Sequence, residues 1–158
     1  MIEGIDELRV TAWLAAQIPA LAPPVRYTLI AGGHSNLTYA CDDAAGRRYV
    51  LRRPPLGHVL ESAHDMGREH RVISALVESG VPVAATFGLC AEPTVNGAPF
   101  FVMGFVPGLV PHDANIANTL PASERRSIGL HVAGVLAALH RLDPNTVGLG
   151  DQIGRAHV

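Results

Sequence analysis

The stretch Leu37-Thr38-Tyr39-Ala40-Cys41-Asp42-Asp43-Ala44-Ala45-Gly46-Arg47-Arg48-Tyr49-Val50-Leu51-Arg52-Arg53-Pro54-Pro55 decides the fold. Leu37 to Cys41 forms a strand, Asp42 to Gly46 supplies turn residues, and a second strand runs through Tyr49, Val50 and Leu51. Two strands so closely joined pair antiparallel, and Pro54-Pro55 stops the second because proline has no N–H to donate.

Toward the N-terminus, Val25 to Ile30 reads as another strand, broken from Leu37 by Gly32-Gly33-His34-Ser35-Asn36. Before it, Val10, Trp13, Leu14 and Ile18 recur at helical spacing between Asp6 and Ile18, and Pro19 ends that helix. Toward the C-terminus, Ser62 with Asp65 resembles a capping box. The helix it would start shows Met66, Val72, Ile73, Leu76 and Val77 on its apolar face and stops at Gly80 and Pro82. Two more strands, Ala85 to Leu89 and Phe100 to Val106, flank Asn96-Gly97, a hairpin turn signal. Gly108 to Leu120 reads as loop. A long helix follows from about Pro121 to Leu142, with Ile128, Val132, Leu136 and Leu139 on one face, before Asp143-Pro144 ends it. Hairpins joined by one helix predict an α+β fold with a five-stranded antiparallel sheet.

Composition narrows the function classes. Nearly half of the residues are apolar and 16% are charged, which suits a globular core rather than a disordered chain. A formal charge of −2 gives no electrostatic case for nucleic acid. The uncharged run from Pro93 to His112 holds four prolines and three glycines, so it reads as turns and strands, not a membrane span. The acidic N-terminus, with Glu3, Asp6 and Glu7, lacks the basic start of a signal peptide, and a cytoplasmic location is expected. Cys41 and Cys90 match no metal or redox spacing, and the histidines form no ligand pair, so no metal is expected on this chain alone.

The sequence contains no lysine, so every permanent side-chain cation is an arginine. Arg52 falls at the end of its strand on the face shared with Val50, where alternation aims it inward and a buried guanidinium needs a counter-charge. Glu69 shares the apolar face of the following helix, three, four and seven residues before Val72, Ile73 and Leu76. An Arg52–Glu69 pair is one expectation; pairing of Glu69 with Arg68 or Arg53 at the surface is the other. The Gly-Gly turn is equally open. It reads as a plain hairpin turn, or as a loop whose backbone N–H groups, with Ser35 and Asn36 side chains, approach a phosphate.

Gly-Gly-His-Ser-Asn-Leu-Thr-Tyr (32–39) and Tyr-Val-Leu-Arg-Arg-Pro-Pro (49–55) resemble the aminoglycoside-phosphotransferase-like family. Gly-Arg-Glu-His-Arg-Val-Ile-Ser-Ala-Leu (67–76), Val-Pro-Val (81–83) and Phe-Val-Met-Gly-Phe-Val-Pro-Gly (101–108) continue the match in order. It is closest to the branch related to the kinase domain attached to some acyl-CoA dehydrogenases. The resemblance implies a protein-kinase-like N-terminal lobe over 1–106, a hinge and linker over 107–120, and the start of a C-terminal lobe over 121–152. It further implies that Gly33, His34, Ser35 and Asn36 lie over the ATP phosphates. Arg52 would take the phosphate-binding basic position with Glu69 as its helix partner. Gly104, Phe105 and Val106 would form the adenine hinge, with Met103 at the back of the pocket. Two residues depart from the pattern: His34 stands where this branch has glutamine, and Gly104 where the family usually has an acidic residue.

The resemblance implies an ATP- and Mg²⁺-dependent phosphotransferase acting on a small-molecule hydroxyl, in a pathway linked to acyl-CoA dehydrogenases. No H-G-D-x-x-x-x-N catalytic loop occurs in the sequence, and no aspartate follows in the place of a metal ligand. We therefore expect a fragment of a longer enzyme, inactive alone, in which His140 and Asp151 have no catalytic role. Residues 153–158 are expected to be a non-native tail. A degenerate, non-catalytic nucleotide-binding or interaction module is the alternative, and an unrelated α+β domain the third reading.

Overall fold

A computed structural model of the protein describes residues 2–31, 36–57, 64–110 and 113–152. The chain divides into two compact units, Met1–Ser74 with Ala84–Phe105, and Ala75–Val83 with Val106–Val158. Among the described residues no helix is long and apolar enough to cross a membrane.

The first unit opens with helix α1 (Glu7–Gln17). Asp6 caps it by accepting the Arg9 backbone N–H at 3.1 Å, and the Ile18 N–H closes it on the Leu14 carbonyl. Strands β1 (Arg26–Ala31), β2 (Leu37–Asp42) and β3 (Arg48–Arg53) follow. The turn between β2 and β3 is organised by Asp43. Its buried carboxylate accepts backbone N–H groups from Ala45, Arg47 and Ala22, and the Nε–H of Arg47. Gly46 sits in that turn at φ 79°, where a side chain would be strained.

Helix α2 (Met66–Leu76) starts at Asp65, whose Oδ1 accepts the Arg68 N–H at 2.9 Å. Ser62, the expected cap, lies outside the described residues. Val77 falls beyond the helix and is exposed, so it does not extend the apolar face. Strand β4 (Thr86–Cys90) leads not into the expected two-residue turn but into a one-turn helix, α3 (Pro93–Asn96). Pro93 starts that turn and Gly97 ends it in the left-handed conformation, φ 73°. Strand β5 (Phe100–Gly104) completes a sheet of order β1-β2-β3-β5-β4 with every neighbouring pair antiparallel.

Register fixes what each face carries. Tyr39, Leu51 and Val102 align across β2, β3 and β5, and so do Thr38, Arg52 and Phe101 one residue away. The first row joins Val10 and Leu14 of α1 and Phe100 in the core, all with almost no exposure. Each such side chain contributes roughly 1.5–3 kcal/mol by leaving water. Trp13 packs its edge on Phe100, ring centroids 5.0 Å apart. The second row carries the polar groups, on the opposite face.

The second unit includes helices α4 (Ala114–Thr119) and α5 (Ala122–His140). α4 falls in the segment expected to be loop. Asp113 starts it by accepting the Ile116 N–H at 2.8 Å, a capping signal hidden in a sequence without an apolar period. Arg125 donates to the Leu120 carbonyl, one of the groups left open where α4 ends. No residue of α5 is buried, and Ile128, Val132, Leu136 and Leu139 of its expected apolar face are all exposed.

Candidate functional site

Four arginines end up in four different environments. Arg47 pairs with Asp43 and Arg48 with Asp42, the latter through two hydrogen bonds that hold the Asp42 carboxyl below its ordinary range. Arg48 also lies over the Phe105 ring, 5.2 Å from its centroid. Arg53 is buried and has no carboxylate partner among the described residues. It donates to the carbonyls of Gly4, Pro54 and Asn96, tying the N-terminal segment and α3 to the end of β3. Burial lowers its pKa, though it remains a cation at any physiological pH.

Arg52 meets Glu69. Its Nε–H donates to Oε2 at 2.7 Å, and its Nη1–H donates to Thr38 Oγ1 at 3.1 Å. Of the two pairings left open by the sequence, the structure thus contains the inward one. Arg52 and Glu69 are 30% and 31% exposed, so the pair is shielded yet reachable from solvent. Arg52 Nη2 has no partner among the described residues. A fixed, partly exposed guanidinium that keeps one N–H group without a partner among the described residues is suited to an oxyanion, because the fork of N–H donors matches phosphate or carboxylate oxygens.

Gly33, His34 and Ser35 lie outside the described residues. Asn36 is buried at the head of β2, and its Nδ2 donates to Glu69 Oε1 at 2.5 Å, so its amide donor is directed to the helix carboxylate. Met103 is half-buried and stands between Val50 and Thr86 in the sheet. Gly104 ends β5, and its N–H donates to the Ala85 carbonyl at 2.8 Å. Phe105 and Val106 are exposed and fall at the ends of different compact units.

Two polar residues of this cluster were not singled out from the sequence. Thr38 was readable: the turn at Asp43–Gly46 fixes the β2–β3 register, and counting from it puts Thr38 opposite Arg52. His64 carried no such signal. Its Nδ1 lies 2.6 Å from Asn36 Oδ1, beside a cavity of about 800 Å³ whose walls include Pro54, Leu56, Met66 and Leu89.

A five-stranded antiparallel sheet, a helix inserted between β3 and β4, and a β3 cation held by a helix carboxylate define a protein-kinase-like phosphotransferase fold. The comparisons carry the assignment further. The model of the phosphotransferase enzyme family, APH, matches residues 26–156, and the chain belongs to that family. It is 38% identical over 133 residues to acyl-CoA dehydrogenase family member 11 of Gallus gallus, covering 84% of this chain and 16% of that protein. Against acyl-CoA dehydrogenase family member 10 of Mus musculus the identity is 37% over 123 residues, 78% of this chain and 11% of that one. The chain therefore spans less than a fifth of these relatives' length. A solved structure from Ralstonia eutropha, described as an aminoglycoside phosphotransferase, superposes with a TM-score of 0.73 at 33% identity. That match covers 92% of this chain and 41% of the other.

Proposed function

We propose that this chain is the nucleotide-binding part of an ATP-dependent phosphotransferase, a kinase of a small-molecule hydroxyl. One observation carries the reading: Arg52 is fixed by Glu69 and Thr38, is partly exposed, and keeps Nη2 without a partner among the described residues. Bound ATP would supply the phosphoryl group. The chain's own part is to receive the polyphosphate on Arg52 and so neutralise some of its charge. By the family resemblance, Gly33, His34 and Ser35 would contact the same phosphates, and Met103, Gly104, Phe105 and Val106 would receive the adenine.

The donor set fits a polyphosphate but not its metal. No group of three or more His, Cys, Asp or Glu able to hold a cation exists among the described residues. In this reading the Mg²⁺ ligands and the catalytic base lie in sequence beyond this chain, and the chain alone transfers no phosphoryl group. The relatives' names point to acyl-CoA metabolism, so a hydroxyl on an acyl-type molecule is favoured over an antibiotic.

Calorimetric titration with Mg-ATP tests the proposal. Arg52→Ala removes one charge-assisted contact and should weaken binding about tenfold to a hundredfold. Equal affinity in the two proteins would remove Arg52 from the site.

A further inference from the structure

We propose that His64 is a positioning residue for Arg52, acting through Asn36 and Glu69, and that it does so as the Nδ1–H tautomer. The inference rests on the nucleotide reading above for its consequence, but not for its geometry.

Donor and acceptor roles along the chain of contacts are determined one after another. Arg52 can only donate, so the Glu69 oxygen it meets at 2.7 Å accepts from it, and a carboxylate beside a guanidinium is ionised. An ionised carboxylate only accepts. The other oxygen, Oε1, therefore faces the NH₂ end of the Asn36 amide, 2.5 Å away, and not its carbonyl end. This fixes the amide orientation and turns Oδ1 toward His64. A carbonyl oxygen cannot donate, so the proton in the 2.6 Å contact sits on His64 Nδ1. His64 Nε2 has no hydrogen-bond partner among the described residues, and in a neutral ring it is the acceptor nitrogen.

Asn36 is 6% exposed, so its amide cannot readily exchange these partners for water. Loss of the His64 donor leaves Oδ1 buried and unsatisfied, which favours rotation of the amide and loss of the Glu69 contact. Among the described residues the Glu69 side chain then keeps Arg52 alone as its partner, which loosens the hold on the guanidinium that Thr38 still shares. Among the expected nucleotide residues, His64 contacts Asn36 and reaches Arg52 only through it and Glu69.

Two-bond ¹H–¹⁵N correlation spectra of the full chain at about pH 8, where an ordinary imidazole is neutral, report ring tautomers directly. His64→Asn identifies the His64 signals. The wild type should show Nδ1–H for His64, with Asn36→Ala shifting it toward Nε2–H; an Nε2–H tautomer in the wild type overturns the proposal. The second arm is Mg-ATP affinity. His64→Asn places an amide donor where Nδ1–H was and should bind within about twofold of wild type. His64→Ala and His64→Gln should bind about threefold to tenfold more weakly, the loss of an indirect contact. Wild-type affinity in His64→Ala alongside weakened Arg52→Ala sinks the positioning role while leaving the nucleotide reading intact. If neither Arg52→Ala nor the wild type distinguishes itself in ATP binding, the nucleotide reading fails and the tautomer still decides the relay.

Discussion

Glu69 Oε2 accepts the Arg52 Nε–H at 2.7 Å, joining the end of one strand to the first turns of the helix that follows it. Each partner keeps about a third of its surface in water, so the pair sits between a surface ion pair and a buried one. Glu69→Ala removes the carboxylate from Arg52 and Asn36 together. Discounted for solvent screening, the expected loss is about 1–2 kcal/mol, read as a lower midpoint in urea unfolding. Glu69→Gln should lose less, because an amide oxygen can still accept from Arg52. Identical midpoints for wild type and Glu69→Ala would mean the contact has no energetic weight.

Arg53 plays a different part from its neighbour. It is buried against three carbonyls contributed by Gly4, Pro54 and Asn96, and no carboxylate among the described residues neutralises it. Arg53→Ala leaves those acceptors unsatisfied and opens a gap, at an expected cost of about 2–4 kcal/mol. Lysine should rescue only part of this loss, since one ammonium cannot reproduce the planar fork. Nucleotide affinity, measured where the variant is folded, should stay near wild type. A large affinity loss there would mean that the two arginines do not divide into a binding role and a structural one.

How far the sequence could be read is clearest at these same residues. Strand alternation placed Arg52 with Val50 and helical spacing turned Glu69 inward, because both periods are local and the paired face is covered. All five strands and their antiparallel pairing were legible for the same reason. What was not legible depended on contacts distant in sequence. His64 joins Asn36 across 28 residues, and nothing in either local pattern encodes that meeting. The β4–β5 connection was misread because Asn96-Gly97 is both a hairpin signal and a helix C-terminal signal. Pro93, together with Asp6 N–H donating to Asn96 Oδ1, selects the helix. The short helix α4 was missed because its capping residue Asp113 is not followed by an apolar period.

His70 gives the fold a pH dependence of definite sign. Its ring packs against Phe101, centroids 6.0 Å apart, and burial lowers its pKa below the ordinary value. The unfolded chain, with an imidazole near pKa 6.5, then takes up a proton more readily than the folded one. The neutral ring's contribution is fully present above about pH 6.5 and declines as pH falls toward the folded-state value. Urea midpoints measured from pH 8 down to 5 should drop more steeply in wild type than in His70→Phe. Parallel curves would show that His70 is not perturbed.

The two thiols should be silent in the folded state. Burial pushes the Cys41 thiol up to about 12, and burial also raises Cys90. Neither forms an appreciable thiolate at neutral pH. A thiol-disulfide reagent added at neutral pH should label neither cysteine until denaturant unfolds the chain, after which both should react. Fast labelling of native Cys41 would place it outside the core beside Tyr39 and Leu51.

The claim at the centre of this account is that Arg52 recognises the phosphates of a nucleotide rather than its base. The ratio of Mg-ATP affinity to adenosine affinity isolates the phosphates, measured in wild type and in Arg52→Ala. The account predicts that the ratio falls about tenfold or more in the variant, by loss of ATP affinity while adenosine affinity holds. An unchanged ratio, or no preference for ATP over adenosine in the wild type, would contradict it.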